Sequence, residues 1–495
     1  MRERITYIQK LGDGLDPSTV RVDAGAIRAP DVHAIREDRL TFTLDELPGE
    51  LRTLLADTQD LHIRWVSTHA YEAVSPLLAR LPPGFHAFFT PGDGNDSVAS
   101  YAAPTSPSVT GIQTNPESFI SLPRDRFSHS AAHQYFQQLD SLGSFIQYAK
   151  DKLCSRADKA CSARLDGLSR AASLDISYES REGVLRVTAL WPYQSRPIDA
   201  TSRPGVRTEV GILSGDKPKT LEPHELGVAG LLTVLGQDSK PSAAMFSFPA
   251  RHHDAESTFS ALFLSPTGLH PTLQLRISSA ALPAEAEHDG QDCSPYAYLT
   301  LPRSIFADKY QLSDPLFLAS KNLSALRHTT QPVDLEAPEY AVSQWGSAIL
   351  LELAPSSPSS SEEWTAEVPL HLRYLAPVSG GYSTVSVPYP AVFWACQPPE
   401  GAEFPPGPFE RKALGYDGLF DDGTVFWHVT PQPAEADGQG LLVSQVRVPV
   451  LNVDRAQWVG AGTGLAVAAG FAFVVWKLAG VWFGKGQEVD EKKRQ

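Results

Sequence analysis

Positive charge is scarce in this sequence: 42 lysines and arginines face 57 aspartates and glutamates over 495 residues, leaving a net charge of -15. Phosphate backbones are bound by clustered Lys and Arg, which occur here only among the last residues, so no nucleic-acid partner is expected. Cysteine is also sparse. Cys154, Cys161, Cys293 and Cys396 show no C-x-x-C spacing, which argues against a finger-type zinc site. Of the three pairings open to four cysteines, Cys154 with Cys161 and Cys293 with Cys396 is expected in an oxidising compartment. Free buried thiols are the alternative.

The signatures of common chemistry are missing too. Gly211-Ile-Leu-Ser214-Gly215 has the wrong spacing for a nucleophile elbow and reads as a turn. His224-Glu225 is followed by Leu-Gly-Val rather than by a second histidine. His252-His253-Asp254 is a dense polar trio with no further ligand nearby, and a solvated loop is the expectation there. No Asp-x-Asp clamp for a nucleotide sugar is present, and Asp417, Asp421 and Asp422 read as a hairpin turn. No cofactor and no metal site are expected. The first twenty residues, MRERITYIQKLGDGLDPSTV, contain no apolar run, so no cleavable signal peptide is expected.

Long hydrophobic runs are absent but for one. Trp458 to Trp476, WVGAGTGLAVAAGFAFVVW, carries no charge, and at about 1.5 Å per residue it suffices to cross a hydrocarbon core of roughly 30 Å. Trp458, Trp476 and Trp482 are suited to the membrane interface. Arg447 and Arg455 precede the run, whereas Lys477, Lys485, Lys492, Lys493 and Arg494 lie at or after its end, which predicts a cytosolic C-terminal tail. Lys492 and Lys493, fourth and third from the end, resemble a dilysine retrieval signal of resident endoplasmic-reticulum membrane proteins. The bulk of the chain is then luminal, and the sequons at Asn95 and Asn322 become usable. A tail-anchored protein with a cytosolic bulk would look similar. Gly460, Gly464, Ala468 and Ala472 recur every four residues, a spacing that admits close approach of another helix.

With 40 Pro and 36 Gly, the remainder favours turns and edges, hence a mainly β fold of sandwich-like domains with few helices. Period-two alternation marks strands at 40–44, 61–66, 85–89, 259–264 and 441–450. Within 368–374, the even residues form one face, while His371 and Arg373 take the other. Phe136, Leu139, Leu142, Phe145, Ile146, Ala149 and Leu153 recur at helical spacing, predicting one helix near 131–153. Loops are expected at 92–108, 280–292 and 355–361. A boundary near residues 195–206, in RPIDATSRPGVR, divides an N-terminal β-rich domain (1–200) from a second β-sandwich domain (201–454) with a Ser-rich loop near 355–363, and another boundary is expected near that Ser-rich run. The span (458–483) and tail (484–495) complete the chain.

The segment 368–396, VPLHLRYLAPVSGGYSTVSVPYPAVFWAC, resembles the signature of the PIG-X family, whose fungal members form the Pbn family. The resemblance rests on His371, Arg373, Tyr374, Pro377, Gly381, Tyr382, Pro388, Pro390 and the run Phe393 to Cys396. Leu61 to Trp65, Tyr71 and Pro83 to His86 are similar to the fungal members in particular. The resemblance implies a non-catalytic endoplasmic-reticulum membrane glycoprotein with a luminal bulk and one C-terminal span. It further implies a partner, the multispan catalytic subunit (PIG-M type) of glycosylphosphatidylinositol (GPI) mannosyltransferase I. That enzyme transfers the first α-1,4-mannose from dolichol-phosphate-mannose to GPI precursors. A chaperone-like role in folding other proteins is also implied for fungal members. By themselves, His371, Arg373 and Tyr374 read either as a binding edge or as a strand with its polar face in water, the latter being expected. An alternative for the whole chain is a luminal hydrolase, a protease or glycosidase, with acidic residues converging from distant loops.

Overall fold

The computed structural model describes residues 1–92, 116–122, 133–155, 158–218, 221, 224–282, 286, 292–330, 334–355, 362–398, 401–405, 407–411, 414–434 and 440–491. Its larger unit comprises residues 1–373 and 386–446, and a smaller one residues 374–385 and 447–495. The fold is mainly β, with few helices.

The larger unit opens with β1 (Arg2–Gln9), the short β2 (Arg21–Asp23) and β3 (Ala26–Thr43). Next come α1 (Gly49–Ala56), β4 (Thr58–Val66), β5 (Gly84–Pro91), β6 (Ile120–Ser121) and β7 (His133–Gln137). Two helices follow, α2 (Gly143–Leu153) and α3 (Lys159–Asp166). The sheet resumes with β8 (Ser173–Glu179), β9 (Val184–Thr201), β10 (Arg207–Asp216), β11 (Glu225–Val234) and β12 (Ser242–Pro249). These twelve strands form one sheet in the order β12-β11-β10-β1-β3-β9-β8-β4-β5-β7-β6, with β2 beside β3. Strand β1 lies parallel to β10 and antiparallel to β3. The long β3 and β9 bend at register shifts between Ala29 and Val32 and between Ala34 and Arg36, and Pro30, which offers no N–H to a ladder, lies in the first.

The second sheet is built from β13 (His252–Phe263), β14 (Thr272–Ile277), β15 (Cys293–Pro302), β17 (Leu323–Thr329), β18 (Gly346–Leu353), β19 (Trp364–Pro369), β22 (Ala391–Cys396) and β23 (Val425–Pro431). Its order is β17-β18-β15-β22-β23-β13-β14-β19. A small ladder pairs β16 (Ile305–Phe306) with β20 (His371–Leu372), and α4 (Pro315–Ala319) lies between β16 and β17 in the chain. The two sheets share a core: Trp65, Phe85, Phe136 and Tyr178 from the first cluster with Tyr298, Ala348, Phe393 and Phe426 from the second. Tyr416 is wholly buried in that cluster, 4.6 Å from the Phe393 ring, and donates its hydroxyl to the Arg80 carbonyl at 3.0 Å. Burial of such aromatic area is the main favourable term in assembling the unit.

The strand expectations at 40–44, 61–66, 85–89, 259–264 and 441–450 each overlap an observed strand, the last being β24 (Val443–Pro449). Other readings need correction. The helix expected near 131–153 starts only at Gly143, because residues 133–137 pair with β5 instead. Gln134, Tyr135 and Phe136 are buried on both faces, so their alternation is hidden and Phe136 falls by coincidence into the helical count. Leu153, counted on the apolar face, is exposed. The stretch expected as a domain boundary contains the end of β9, whose Ser195 to Thr201 ladder against His33 to Ala26. Gly211 to Gly215 is no turn but part of β10, with Gly211 to Ser214 paired on both sides and Gly215 with β11.

Besides exposed salt links such as Arg2 with Glu209, the first sheet carries a buried charge network. The Glu37 side chain is fully enclosed and meets Arg411 at 2.6 Å, Arg4 at 3.3 Å and Arg39 at 3.4 Å. Burial pushes its carboxyl up, but Arg411, Arg39 and Arg4 outweigh that and hold it down at about 2. Arg39, dehydrated and near the like charges of Arg411, Arg4 and Arg186, is drawn down to about 10.

The smaller unit holds the segment around Tyr382, the C-terminal part of β24, and α5 (Ala456–Glu491). Strand β21 (Tyr382–Pro388) pairs with β24. Within α5, Trp458–Phe483 is long and apolar enough to cross a membrane, and none of its most apolar window is buried. One C-terminal candidate span fits a single-pass membrane protein.

Candidate functional site

The signature segment 368–396 is the natural place to look for function, and its residues fall into three structural tasks. The first is an anchor. After β19 the chain runs on in the same register, the Leu370 and Leu372 amides donating to the carbonyls of Pro271 and Leu269; Val368 and Leu370 are wholly buried, and β20 also pairs with β16. Arg373 is nonetheless covered rather than turned to water: it is 6% exposed, and its guanidinium lies 4.7 Å from the Phe306 ring centroid. Its Nη1 donates to the carbonyls of Asp334 at 2.5 Å and Ala337 at 2.6 Å. A single cation thus holds both ends of a short loop, a charge-assisted arrangement stronger than neutral hydrogen bonds. His371 stacks on the same Phe306 ring, meets His270 at 3.0 Å through the two Nδ1 atoms, and meets Gln311 Oε1 at 3.0 Å. Burial, and next His270, pull its pKa below the usual value. The expected water-facing strand is therefore corrected for Arg373, because Phe306 and the 334–337 carbonyls supply partners that sequence alone does not reveal. Tyr374, the next residue, is exposed.

The second task is a core rung. Cys293 on β15 and Cys396 on β22 are opposite partners and form a disulfide, and Cys154 with Cys161 form another between the end of α2 and α3. Pro388 ends β21, Pro390 precedes β22, and both are buried. Between them Tyr389 is buried and its hydroxyl accepts from the Ala434 amide at 3.1 Å.

The third task is a clasp within the smaller unit. Pro377 is exposed, and Val378 bridges to Asn452: the Val378 amide donates to the Leu451 carbonyl at 3.2 Å and its carbonyl accepts from Val453 at 3.2 Å. Val450 donates to the Gly381 carbonyl at 3.0 Å, and Ser379 Oγ to Asp454 Oδ2 at 2.9 Å. Gly381 has a φ of +74°, and a Cβ there would lie 3.3 Å from Asn452 Cβ and 3.4 Å from the Val450 carbonyl oxygen. A glycine is thus required twice over, by conformation and by closeness. Arg447 lies 4.0 Å from the Tyr382 ring centroid. Asn452 Oδ1 accepts from the Asp454 amide and caps the short 3-10 turn Val453–Arg455, which leads into α5. Sequence reading named Gly381 and Tyr382 but missed Val378, Ser379, Asn452 and Asp454. The glycine pair at 380–381 and the Asn-x-Asp start signal before the apolar run were the available clues.

Elsewhere, the polar trio is a correction. His252 and His253 sit on β13 and are buried, not in a solvated loop. His252 Nδ1 lies 2.9 Å from His428 Nε2, and one imidazole donates to the other. Burial above all, with cationic and imidazole neighbours next, drives both well below the ordinary histidine range. Buried His86 is likewise pulled down to about 4, with Nε2 donating to the Pro82 carbonyl at 2.8 Å. Among the described residues no group of three His, Cys, Asp or Glu could hold a metal ion. Asp417 accepts from the Leu414 amide at 3.1 Å in a 3-10 turn, Asp417–Leu419.

Asn322 has a φ of +55°, and its side-chain amide donates to the Thr365 carbonyl at 2.7 Å. Asn95, Lys492 and Lys493 lie outside the described residues. Gly460, Gly464, Ala468 and Ala472 lie on α5, where a Cβ at either glycine would meet nothing within 4 Å.

Comparison with known proteins bears on the same segment. A family model described as PIG-X / PBN1 matches residues 266–479, which contain the anchor, the rung, the clasp and most of the span. Protein pbn1 of Neurospora crassa is 56% identical over 485 residues, 97% of this chain and 95% of that protein. Protein PBN1 of Gibberella zeae is 44% identical, covering 97% and 96%, and protein pbn1 of Emericella nidulans 39%, covering 97% and 95%.

Proposed function

Because the chain belongs to the PIG-X / PBN1 family, we propose that it is a non-catalytic subunit serving GPI-anchor biosynthesis in the endoplasmic-reticulum membrane. Its task in this reading is to stabilise the multispan catalytic subunit of GPI mannosyltransferase I, which transfers the first α-1,4-mannose from dolichol-phosphate-mannose. The observation that carries the reading is the use made of the family signature: Arg373, Gly381 and Cys396 hold backbone and strands in place and converge on no reactive centre. The one candidate span among the described residues offers no enclosed cavity for a dolichol-linked donor, so the chemistry falls to the multispan partner. Binding that favours the folded partner over its unfolded form raises the partner's abundance by mass action.

In the same proposal the bulk is luminal and the tail cytosolic. The excess of Lys and Arg after the span supports this, as do two disulfides, which persist in an oxidising lumen. Gly460, Gly464, Ala468 and Ala472 supply a smooth face for a partner span.

The test replaces Gly464 and Ala468 with Leu in cells and measures both proteins. The catalytic subunit is expected to fall in abundance and in co-purification while this chain stays at its normal level. Overproducing the catalytic subunit should restore GPI mannosylation. Unchanged partner abundance and co-purification refute the helix face, and failure of overproduction to rescue a strain lacking this chain refutes the stabilising role.

A further inference from the structure

The clasp ties a loop far away in sequence to the residues that run into the span. Hydrogen bonds from Val378, Ser379 and Gly381 engage Val450 to Asp454, and Ala456 opens α5 immediately afterwards. From Val453 to Trp458 the rise is only about 9 Å, taking roughly 2 Å per residue in the 3-10 turn and roughly 1.5 Å in the helix. The 26 residues Trp458–Phe483 extend about 39 Å against a hydrocarbon core of roughly 30 Å, so the helix ends enter the headgroup layers. Trp458 is 82% exposed at the start of that span.

The side chains left uncovered on the clasp suit the same layer. Tyr382 is 53% exposed, Leu451 46% and Val453 50%, and Arg447 stacks on Tyr382. Apolar and aromatic groups accompanied by arginine are the composition that partitions to the bilayer interface, with guanidinium beside phosphate and ring beside the upper acyl chains.

We infer that the clasp formed by residues 377–382 and 447–455 rests in the headgroup layer of the bilayer that α5 crosses, with Tyr382, Leu451 and Val453 inserted and Arg447 at the lipid phosphates. The occupant of this apolar patch is the lipid surface, because only the turn Val453–Arg455 and the first two residues of α5 separate the patch from the span itself. The inference needs only that α5 crosses a membrane, and it stands or falls separately from the mannosyltransferase reading.

All four native cysteines are in disulfides, so a single introduced thiol can be labelled selectively. The full-length chain carrying Tyr382→Cys, or Leu451→Cys, is labelled with a nitrobenzoxadiazole dye and reconstituted into vesicles of phosphatidylcholine and phosphatidylinositol. Leu465→Cys in the span serves as the lipid reference, and Met245→Cys on the edge strand β12 as the reference for an exposed position of the larger unit. Lipid bearing a shallow spin label should quench positions 382 and 451 about threefold more than position 245, and aqueous iodide should quench them about threefold less. Pro377→Cys, which leaves the Arg447 stack intact, should behave in the same way if loss of Tyr382 loosens the loop. Quenching by iodide equal to that at position 245 overturns the inference, and so does protection from both quenchers, which would place the patch against protein.

Discussion

Replacing Gly381 with Ala should open the clasp without unfolding the sheets. At a φ of +74° an L-residue costs roughly 1–2 kcal/mol relative to glycine. The new methyl also presses on Asn452 Cβ at 3.3 Å and the Val450 carbonyl oxygen at 3.4 Å, atoms that belong to the very strand the loop must bond. Together these amount to about 2 kcal/mol, or about a 30-fold change in the local opening equilibrium at 1.4 kcal/mol per decade. Hydrogen exchange reads this directly, because the amides of Val378, Val450 and Val453 are protected only by the clasp bonds. They should exchange about 30-fold faster in Gly381→Ala, while amides of β15 and β18 keep their rates. Gly380→Ala separates the two causes: its φ is +83° but no atom lies within 4 Å of an added Cβ, so only the conformational cost of about 1 kcal/mol applies, roughly fivefold. Wild-type exchange at Val450 and Val453 in Gly381→Ala would refute the reasoning, as would equal damage from the two alanines.

Two further outcomes follow from the larger unit. Glu37 has a depressed folded-state pKa of about 2 against 4.5, so its contribution is complete above about pH 4.5 and is lost as pH falls towards 2. That depression corresponds to about 3 kcal/mol, and Glu37→Gln should flatten the acid limb of the unfolding midpoint and, by leaving Arg4, Arg39 and Arg411 without their shared carboxylate, cost about 3–5 kcal/mol at neutral pH. An unchanged acid limb in that variant would remove Glu37 as its source. Arg373→Met keeps an aliphatic chain over Phe306 but strips two donors from the Asp334 and Ala337 carbonyls, costing about 2–4 kcal/mol and exposing the 334–341 loop to protease, and wild-type resistance there would contradict the anchor.

The β class and the single apolar span were legible in the sequence because both rest on local periodicity and composition. Family membership was legible because the signature between His371 and Cys396 is itself a local pattern. Partners brought together over long separations were not. Arg373 looked like a water-facing residue until Phe306 and the 334–337 carbonyls enclosed it, and His252 looked solvated until His428, 176 residues away, stood beside it. Phe136 kept helical time with its neighbours yet took a sheet position, because pairing with β5 on a doubly buried surface outweighs a weak local preference.

What the chain determined alone was therefore whatever a short window can encode: alternation for strands, a charge-free run for the membrane, and glycine where the backbone must turn left-handed. Tertiary structure decided which polar groups are buried, as in the three arginines gathered on Glu37, and which distant loop is stitched to the foot of the span. The reason is physical. Burial and hydrogen-bond partnership are properties of pairs that folding brings together, whereas periodicity is a property of neighbours in the chain.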